Sequence, residues 1–361
     1  MLAGDLDSPA GQLVHLRSLK WRGRDAEVIA GCDEFIKRFG ESELINVRRD
    51  VAEAFRMKIE MVKESGSLED EMRACNAFLL KFGRETDPVF GPMLCRTMLD
   101  RGRVFGQMDR VGHELAAYDA LMLRFGNSDD PAVRPDIIET LLRQANIAGQ
   151  QSRVGDEVRC YQKLVNKFGK VPDIDVQRQV AGAMLSTAMA FRKLDRKLDE
   201  LAVYDAIIAR FGKSDDTGTL FVVARAMMRK ALTQGERGKR LAQIGVCDAI
   251  IARFTNAESL FLRQQAARSQ CNRALALAEL GKITEAMAGF DATIKQYAES
   301  PEAPLRACAG LALFQKAELL RKQRHRAEAI SCYQHFIQSY QVDDEEISGL
   351  ISQSQALLRV L

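Results

Sequence analysis

The chain has 361 residues, a formal net charge of +3 and 47% hydrophobic residues. This mild basicity is too weak to indicate nucleic-acid binding by itself, and no run of about 18 apolar residues predicts a membrane span. The eight cysteines include no CxxC pair and no ligand-like spacing to a histidine. No apolar run of signal-peptide type begins the chain. The composition is interpreted as that of a cytoplasmic protein with reduced core cysteines and no cofactor or metal site.

The first predicted elements are a pair of helices. Ser8 and the proline after it indicate a helix start, and leucines at helical spacing predict a helix over residues 9–21. Gly23 then makes the turn to a second helix over residues 25–39. This helix is expected to end at Gly40, for which we predict the left-handed C-cap conformation.

The same pair is predicted seven more times, because the stretch YDAIIARFG at residues 204–212 recurs along the chain. Copies or looser copies begin at residues 32, 75, 118, 161, 204, 247, 290 and 333, a constant period of 43. Units of this kind cannot bury their apolar faces alone and must stack on their neighbours. The sequence therefore predicts one all-α solenoid domain of eight repeats over residues 1–361.

The helix boundaries follow this period. Long first helices are predicted near 44–64, 88–107, 131–151, 174–194, 218–236, 259–280 and 301–323. Shorter second helices are predicted near 25–39, 69–82, 112–125, 155–168, 198–211, 241–254, 284–297 and 327–340. A last helix over 345–361 has a polar face that suits a cap for the open end. Every proline falls outside the helix interiors, where each would cost about 3 kcal/mol.

Each second helix carries an apolar face. We take the Tyr, Cys or Phe that begins each copy as a reference position. In all repeats the residues three before, four after and seven after this position are apolar, and these offsets lie on one side of a helix. Small residues sixteen before this position let the two helices of a repeat approach closely: Gly102, Ala145, Ala188, Ala231, Ala274 and Ala317. The position four before it is polar in five repeats: Glu71, Glu114, Glu157, Glu200 and Gln243. We expect these polar side chains to cap the second helix from its first turn.

The small residue of the first helix, the Leu280-Gly281 turn and the Glu-Ala-x-x-x-aromatic stretch ending at Phe290 resemble the tetratricopeptide repeat. The resemblance covers nearly the whole chain and implies a right-handed superhelix of helix-turn-helix units. The period of 43 departs from the usual 34. Repeats ending in Arg-Phe-Gly are similar to those of bacterial multidomain proteins, which often carry a separate effector domain.

No catalytic constellation is found, so the chain is interpreted as a non-enzymatic interaction scaffold. The family resemblance implies that a peptide or protein partner binds along the concave wall formed by the first helices. The matching positions form a cationic strip with two apolar contacts, suited to an acidic extended peptide: Asn146, Gln150, Arg192, Lys193, Arg225, Met228, Arg229, Leu232 and Arg268. An effector protein, for which this chain is the sensor or regulatory part, is one partner consistent with the resemblance.

The alternative is a nucleic-acid-binding solenoid. One cation per repeat, directly before the last aromatic of the second helix, could follow a phosphate backbone: Arg38, Lys81, Arg124, Lys167, Arg210 and Arg253. The helix dipole also favours a cation in the last turn by about 0.3–1 kcal/mol, and no exposed aromatics are interleaved to stack on bases. A third interpretation is a fragment whose activity lies in a missing domain, with a thinly capped N-terminal end that mediates self-association.

Overall fold

The computed structural model describes residues 7–65, 67–340 and 345–360. Within these ranges all regular secondary structure is helical, which confirms the all-α prediction. The first helices are α1 (Pro9–Trp21), α3 (Ile45–Ser65), α5 (Gly91–Gln107), α7 (Arg134–Gln150), α9 (Ile174–Lys193), α11 (Thr217–Glu236), α13 (Leu260–Glu279) and α15 (Ala303–Lys322). The second helices are α2 (Asp25–Phe39), α4 (Leu68–Phe82), α6 (Val111–Phe125), α8 (Val154–Phe168), α10 (Lys197–Phe211), α12 (Arg240–Phe254), α14 (Ile283–Tyr297) and α16 (Arg326–Ser339). The last helix is α17 (Glu345–Leu358).

The helix boundaries agree closely with the predicted period. Every second helix begins and ends within one residue of its predicted bounds. Among the first helices the largest differences lie at the starts of α5 and α7, which begin three residues late because proline-containing connections precede them. The last helix, α17, ends three residues before its predicted end. Before α5, Pro88–Phe90 forms a 3-10 turn, opened by Asp87, whose carboxylate accepts a hydrogen bond from the Val89 amide at 2.9 Å.

The chain divides into two compact units, with the boundary between Leu164 and Val165. Within α1–α7, and again within α9–α17, each helix packs on the next, and each first helix also packs on the first helix of the following repeat. Among the described helices no two second helices make comparable contact. The first helices therefore form the more closely packed, inner wall of each unit. A single continuous solenoid over residues 1–361 stays a prediction.

The buried face of the second helices differs from the predicted face in part. The residues that begin the copies are buried as predicted, with Tyr118, Tyr204 and Phe290 fully enclosed. The predicted column four residues later, which runs from Ile36 to Ile337, is only half-buried. The column three residues later is fully buried instead: Phe35, Phe78, Leu121, Leu164, Ile207, Ile250, Thr293 and Phe336. The shift arises because a second helix such as α10 packs against two first helices, α9 and α11.

The polar column of the second helices is buried between helices. Glu200 is fully buried, and its Oε1 accepts hydrogen bonds from the hydroxyls of Tyr204 and Thr233, each at 3.0 Å. Glycine makes room for such a side chain, since a Cβ at Gly106 would lie 2.7 Å from the carboxylate of Glu114. Both carboxylates thus bind buried hydroxyls of tyrosine or threonine rather than cap their helix.

The left-handed backbone conformation occurs at a different place from the predicted one. Gly40 has φ −57° and ψ −30°, so its prediction as a left-handed cap is wrong. Left-handed residues occur instead at the turn between the two helices of a repeat, where the chain must reverse. Gly23 has φ 69° there, and Asp109 and Asp195 adopt φ 56° and 53° at the equivalent turns.

Ion pairs connect the first helices of the N-terminal unit; we call this set the charged ladder. Arg56 of α3 contacts Asp100 of α5 at 2.8 Å. Arg103 of α5 donates from Nε to Glu139 of α7 at 2.9 Å, and Arg143 donates to the same carboxylate at 2.8 Å. Because the carboxylate of Asp100 is only 4% exposed, this end of the ladder is part of the packed interior.

Asp136 gives this unit a pH-dependent stability. Burial raises the pKa of Asp136 to about 6 although Arg96 lies 2.9 Å away. A carboxyl group with a raised folded-state pKa stabilises the fold below its unfolded pKa, near 4, and this contribution is lost as the pH rises through 6. The wild type should lose this contribution between pH 4 and pH 7, whereas Asp136→Asn has no carboxyl group to ionise. We therefore expect the free energy of unfolding of Asp136→Asn, relative to that of the wild type, to rise by about 3 kcal/mol from pH 4 to pH 7. Urea unfolding of both proteins at pH 4 and pH 7 measures this change. A difference in the free energy of unfolding between variant and wild type that is the same at both pH values would contradict the raised pKa.

None of the helices in the described ranges is both long and apolar enough to cross a membrane.

Candidate functional site

A cavity of about 550 Å³ lies on the inner wall of the C-terminal unit. Three successive first helices, α11, α13 and α15, and the last helix α17 contribute to it, and we call it the arginine cavity. Five of its lining residues belong to the predicted binding strip: Arg225, Met228, Arg229, Leu232 and Arg268. The others are Phe261, Gln264, Gln265, Asn272, Leu311 and Glu346. Most of the predicted strip is thus found in one concave site.

Two of its arginines carry charge that none of the described residues neutralises. Arg225 and Arg229 stand one helical turn apart on α11, and both are exposed. Neither makes an ion pair or hydrogen bond with any described residue. Like charges at this spacing repel, so the pair favours an anion between or beside them.

The third arginine of the cavity is held by the last helix. Arg268 of α13 contacts Glu346 of α17 at 2.6 Å. The two side chains are 38% and 48% exposed, so both ends of this pair remain in contact with solvent.

The floor of the cavity is apolar and well supported. Met228, Leu232 and Leu311 are half-buried, and the ring of Phe261 packs on Phe221 with centroids 4.9 Å apart. Apolar floors next to charged groups are typical of protein-binding grooves, where Met and Arg are enriched.

The arginine cavity continues into two further hollows along the same wall. A hollow of about 320 Å³ shares Leu232 and Asn272 with it, and a third of about 170 Å³ shares Leu275 and Glu279 with the second. The carboxylates along this extension are paired: Glu236 with Arg192, Glu279 with Arg240, and Glu318 with Arg321. The wall therefore offers a trough with unpaired cations at one end and neutralised acids beyond them.

The other predicted residues lie outside the arginine cavity. Arg192 is committed to internal contacts, with its guanidinium 2.5 Å from Glu236 and 3.3 Å from Glu200. Lys193 is exposed at the end of α9. Asn146 and Gln150 belong to the N-terminal unit and line a separate hollow of about 300 Å³ beside Arg103 and Arg143, both paired with Glu139.

Some lining residues were missed by the sequence analysis. Phe261, Gln264, Gln265 and Asn272 share a face of α13 with Arg268, so the three-to-four spacing of a helix would have identified them. Glu346 had no such signal, because it is separated from Arg268 by 78 positions.

The Arg/Lys stripe of the second helices serves the fold. Arg124 donates to the carbonyl of Gly83 at 2.5 Å, and Arg210 donates to the carbonyl of Gly169. In each case the acceptor ends the preceding second helix, whose last carbonyls lack helical partners. Arg210 also lies over its neighbour Phe211, 4.9 Å from the ring centroid. Arg124 and Arg210 thus link neighbouring repeats, and these two cations are not free to follow a phosphate backbone.

Comparison with known proteins confirms the tetratricopeptide resemblance for two stretches near the end of the chain. A family model described as "Tetratricopeptide repeat" matches residues 272–300 and 311–341. A search of curated proteins gives no significant match.

Several solved structures are similar at low identity. A tetratricopeptide repeat protein from Parabacteroides merdae is 14% identical, with 84% of this chain and 98% of that chain covered and a TM-score of 0.40. The apo form of the quorum sensor NprR from B. thuringiensis is 11% identical, with 97% of each chain covered and a TM-score of 0.40. A Rap protein complexed with competence and sporulation factor is 13% identical, with 98% of this chain and 96% of that chain covered and a TM-score of 0.36. Similarity at this level does not transfer a ligand or partner.

Proposed function

With tetratricopeptide repeats established over residues 272–300 and 311–341, we propose that the chain is a non-enzymatic scaffold or adaptor that binds an acidic, extended segment of a partner protein. The segment lies in the arginine cavity and runs on into the trough beyond it. An effector protein regulated by this contact is one partner class that the family resemblance suggests.

The observation that carries this proposal is the pair Arg225 and Arg229. Elsewhere in the C-terminal unit, inner-wall arginines have protein partners: Arg178 contacts Asp216 at 2.8 Å and Arg263 contacts Glu302 at 2.6 Å. Arg225 and Arg229 are exposed and lie on the same wall, and neither has an ion-pair or hydrogen-bond partner among the residues that the structure describes. Unpaired charge of one sign in a concave site attracts and orients a ligand of the opposite sign.

Two further features support a protein segment as ligand. The arginine cavity shares lining residues with the hollow beside it, which in turn shares residues with the next. The carboxylates of this trough are already neutralised by Arg192, Arg240 and Arg321. It therefore does not repel an acidic segment that extends from the cavity.

Charge reversal of the pair tests the proposal. We expect Arg225→Glu with Arg229→Glu to weaken binding of a fluorescein-labelled oligoglutamate peptide by about tenfold or more, because attraction becomes repulsion. Fluorescence anisotropy at low salt measures this. The matched control is Lys213→Glu with Lys239→Glu, which changes the net charge equally at exposed positions outside the cavity. Equal binding by the two double variants would contradict the assignment of the binding site to the arginine cavity.

A second measurement separates protein from nucleic acid. The wild type and both double variants are used to capture partners from a native lysate, with and without nuclease, and the captured proteins are identified by mass spectrometry. A protein lost only with Arg225→Glu and Arg229→Glu is the expected result. A nuclease-sensitive catch that is equal in all three proteins would instead favour the nucleic-acid alternative.

A further inference from the structure

The contact between Arg268 and Glu346 differs from the other ion pairs of the inner wall. Arg178–Asp216 and Arg263–Glu302 join neighbouring first helices, with separations of 38 and 39 positions. Arg268 and Glu346 are 78 positions apart and join α13 to α17, past the intervening first helix α15. A carboxylate from the end of the array thus reaches a cation of the arginine cavity.

The contact is of a kind that a competing carboxylate can replace. Both side chains are more than a third exposed, and ion pairs of this type contribute little net stability. The helix that carries Glu346 does not depend on it, because α17 is anchored by Ile347, 2% exposed, and by the buried Ser354. Glu346 can therefore leave Arg268 while α17 stays packed on its neighbours.

We propose that Arg268 is a carboxylate subsite of the arginine cavity, which Glu346 fills as an internal competitor and which a carboxylate of the partner takes over on binding. This inference rests on the proposed function, because it concerns the same acidic ligand. It adds a third cation to Arg225 and Arg229, and it makes the first turn of α17 a negative regulator of affinity. The partner that fits is one with several acidic side chains, enough to meet both the free pair and the occupied subsite.

Removing the competitor tests the inference. Glu346→Gln should tighten binding of the fluorescein-labelled oligoglutamate peptide by about two- to fivefold, the range set by losing one half-exposed ion pair. Glu345→Gln is the matched control: it removes the same charge one residue away, from an exposed side chain that does not line the cavity. The difference between the two variants therefore reports on the contact with Arg268 and not on net charge.

A second pair of variants tests the mechanism. In an Arg268→Gln background the further change Glu346→Gln should have no effect beyond that of Glu345→Gln, because the subsite is gone. Equal binding by Glu346→Gln and Glu345→Gln in the wild-type background would overturn the inference, as would absence of binding by all variants. If Arg225→Glu with Arg229→Glu weakens binding while Glu346→Gln matches its control, the proposed function stands and only the subsite fails. Circular dichroism checks that each variant keeps its helices.

Discussion

Phe290→Ala should lower the free energy of unfolding of its repeat by about 3–5 kcal/mol, the range found for truncating a buried Phe. Phe290 is fully buried in α14. It packs in a cluster with Ala274 and Leu277 of α13 and with Leu319 of α15. The side chain thus holds three consecutive helices together, and small neighbours such as Ala274 cannot move to fill the space it leaves.

The loss should be local, because a repeat contacts only its neighbours. Native-state hydrogen exchange should show faster exchange in α13–α15 and little change in the N-terminal unit; this readout is needed because two-unit proteins depart from two-state unfolding. Leu123→Ala is the control, since Leu123 is 90% exposed and surface changes of this kind stay within about 0.5 kcal/mol. A similar loss for both variants, or uniform loss along the chain, would contradict the picture of locally packed repeats.

The repeat period could be predicted from the sequence because each second helix carries a large or sulfur-containing core residue at the same position. Tyr118, Tyr204 and Phe290 recur at one spacing, and each is fully buried. Local helical propensity and short turns then place the helix ends, so the second helices were predicted to within one residue. The left-handed turn could not be read in every repeat, because Asp109 and Asp195 adopt there the conformation that Gly23 adopts.

The buried face was predicted less well, for a physical reason. Hydrophobic patterning treats Glu as a surface residue, yet Glu200 is fully buried with its carboxylate bound by Tyr204 and Thr233. Thr233 lies in α11, the first helix of the next repeat. One of the two hydrogen bonds that stabilise the buried carboxylate therefore comes from another repeat, and a single sequence does not show which side chains will meet there.

The same limit applies to the candidate site. Arg225, Met228, Arg229 and Leu232 follow helical spacing on α11, and the structure places all four in the arginine cavity. Arg192 has the same residue type and an equivalent inner-wall setting, but its contact with Glu236 depends on how two repeats pack. Whether an arginine is free or paired is decided by tertiary contacts, and this distinction is what separates a binding residue from a structural one.

Asp100→Ala should destabilise the N-terminal unit by about 3–5 kcal/mol, the cost of breaking a buried ion pair from one side. Asp100 contacts Arg56 at 2.8 Å and Arg103 at 3.1 Å, and the side chains of both arginines are 19% exposed. Without the carboxylate, Arg56 is left largely buried, and among the described residues only the hydroxyl of Thr97, at 3.1 Å, still accepts a hydrogen bond from it. Arg103 keeps Glu139, so the larger part of the loss falls on Arg56.

A double-mutant cycle with Arg56→Met separates the cost of leaving Arg56 buried without its carboxylate from the interaction energy between Asp100 and Arg56. Replacing both charged partners by apolar groups of similar size is often nearly neutral, because neither charge then has to be desolvated. Asp100→Ala should therefore cost at least about 1 kcal/mol less in the Arg56→Met background than alone, a coupling typical of residues in contact. Urea unfolding followed by hydrogen exchange in α3 and α5 measures all four corners. Additive costs would mean that the carboxylate stabilises the unit through Arg103 alone, and that the Arg56 end of the charged ladder contributes nothing to the fold.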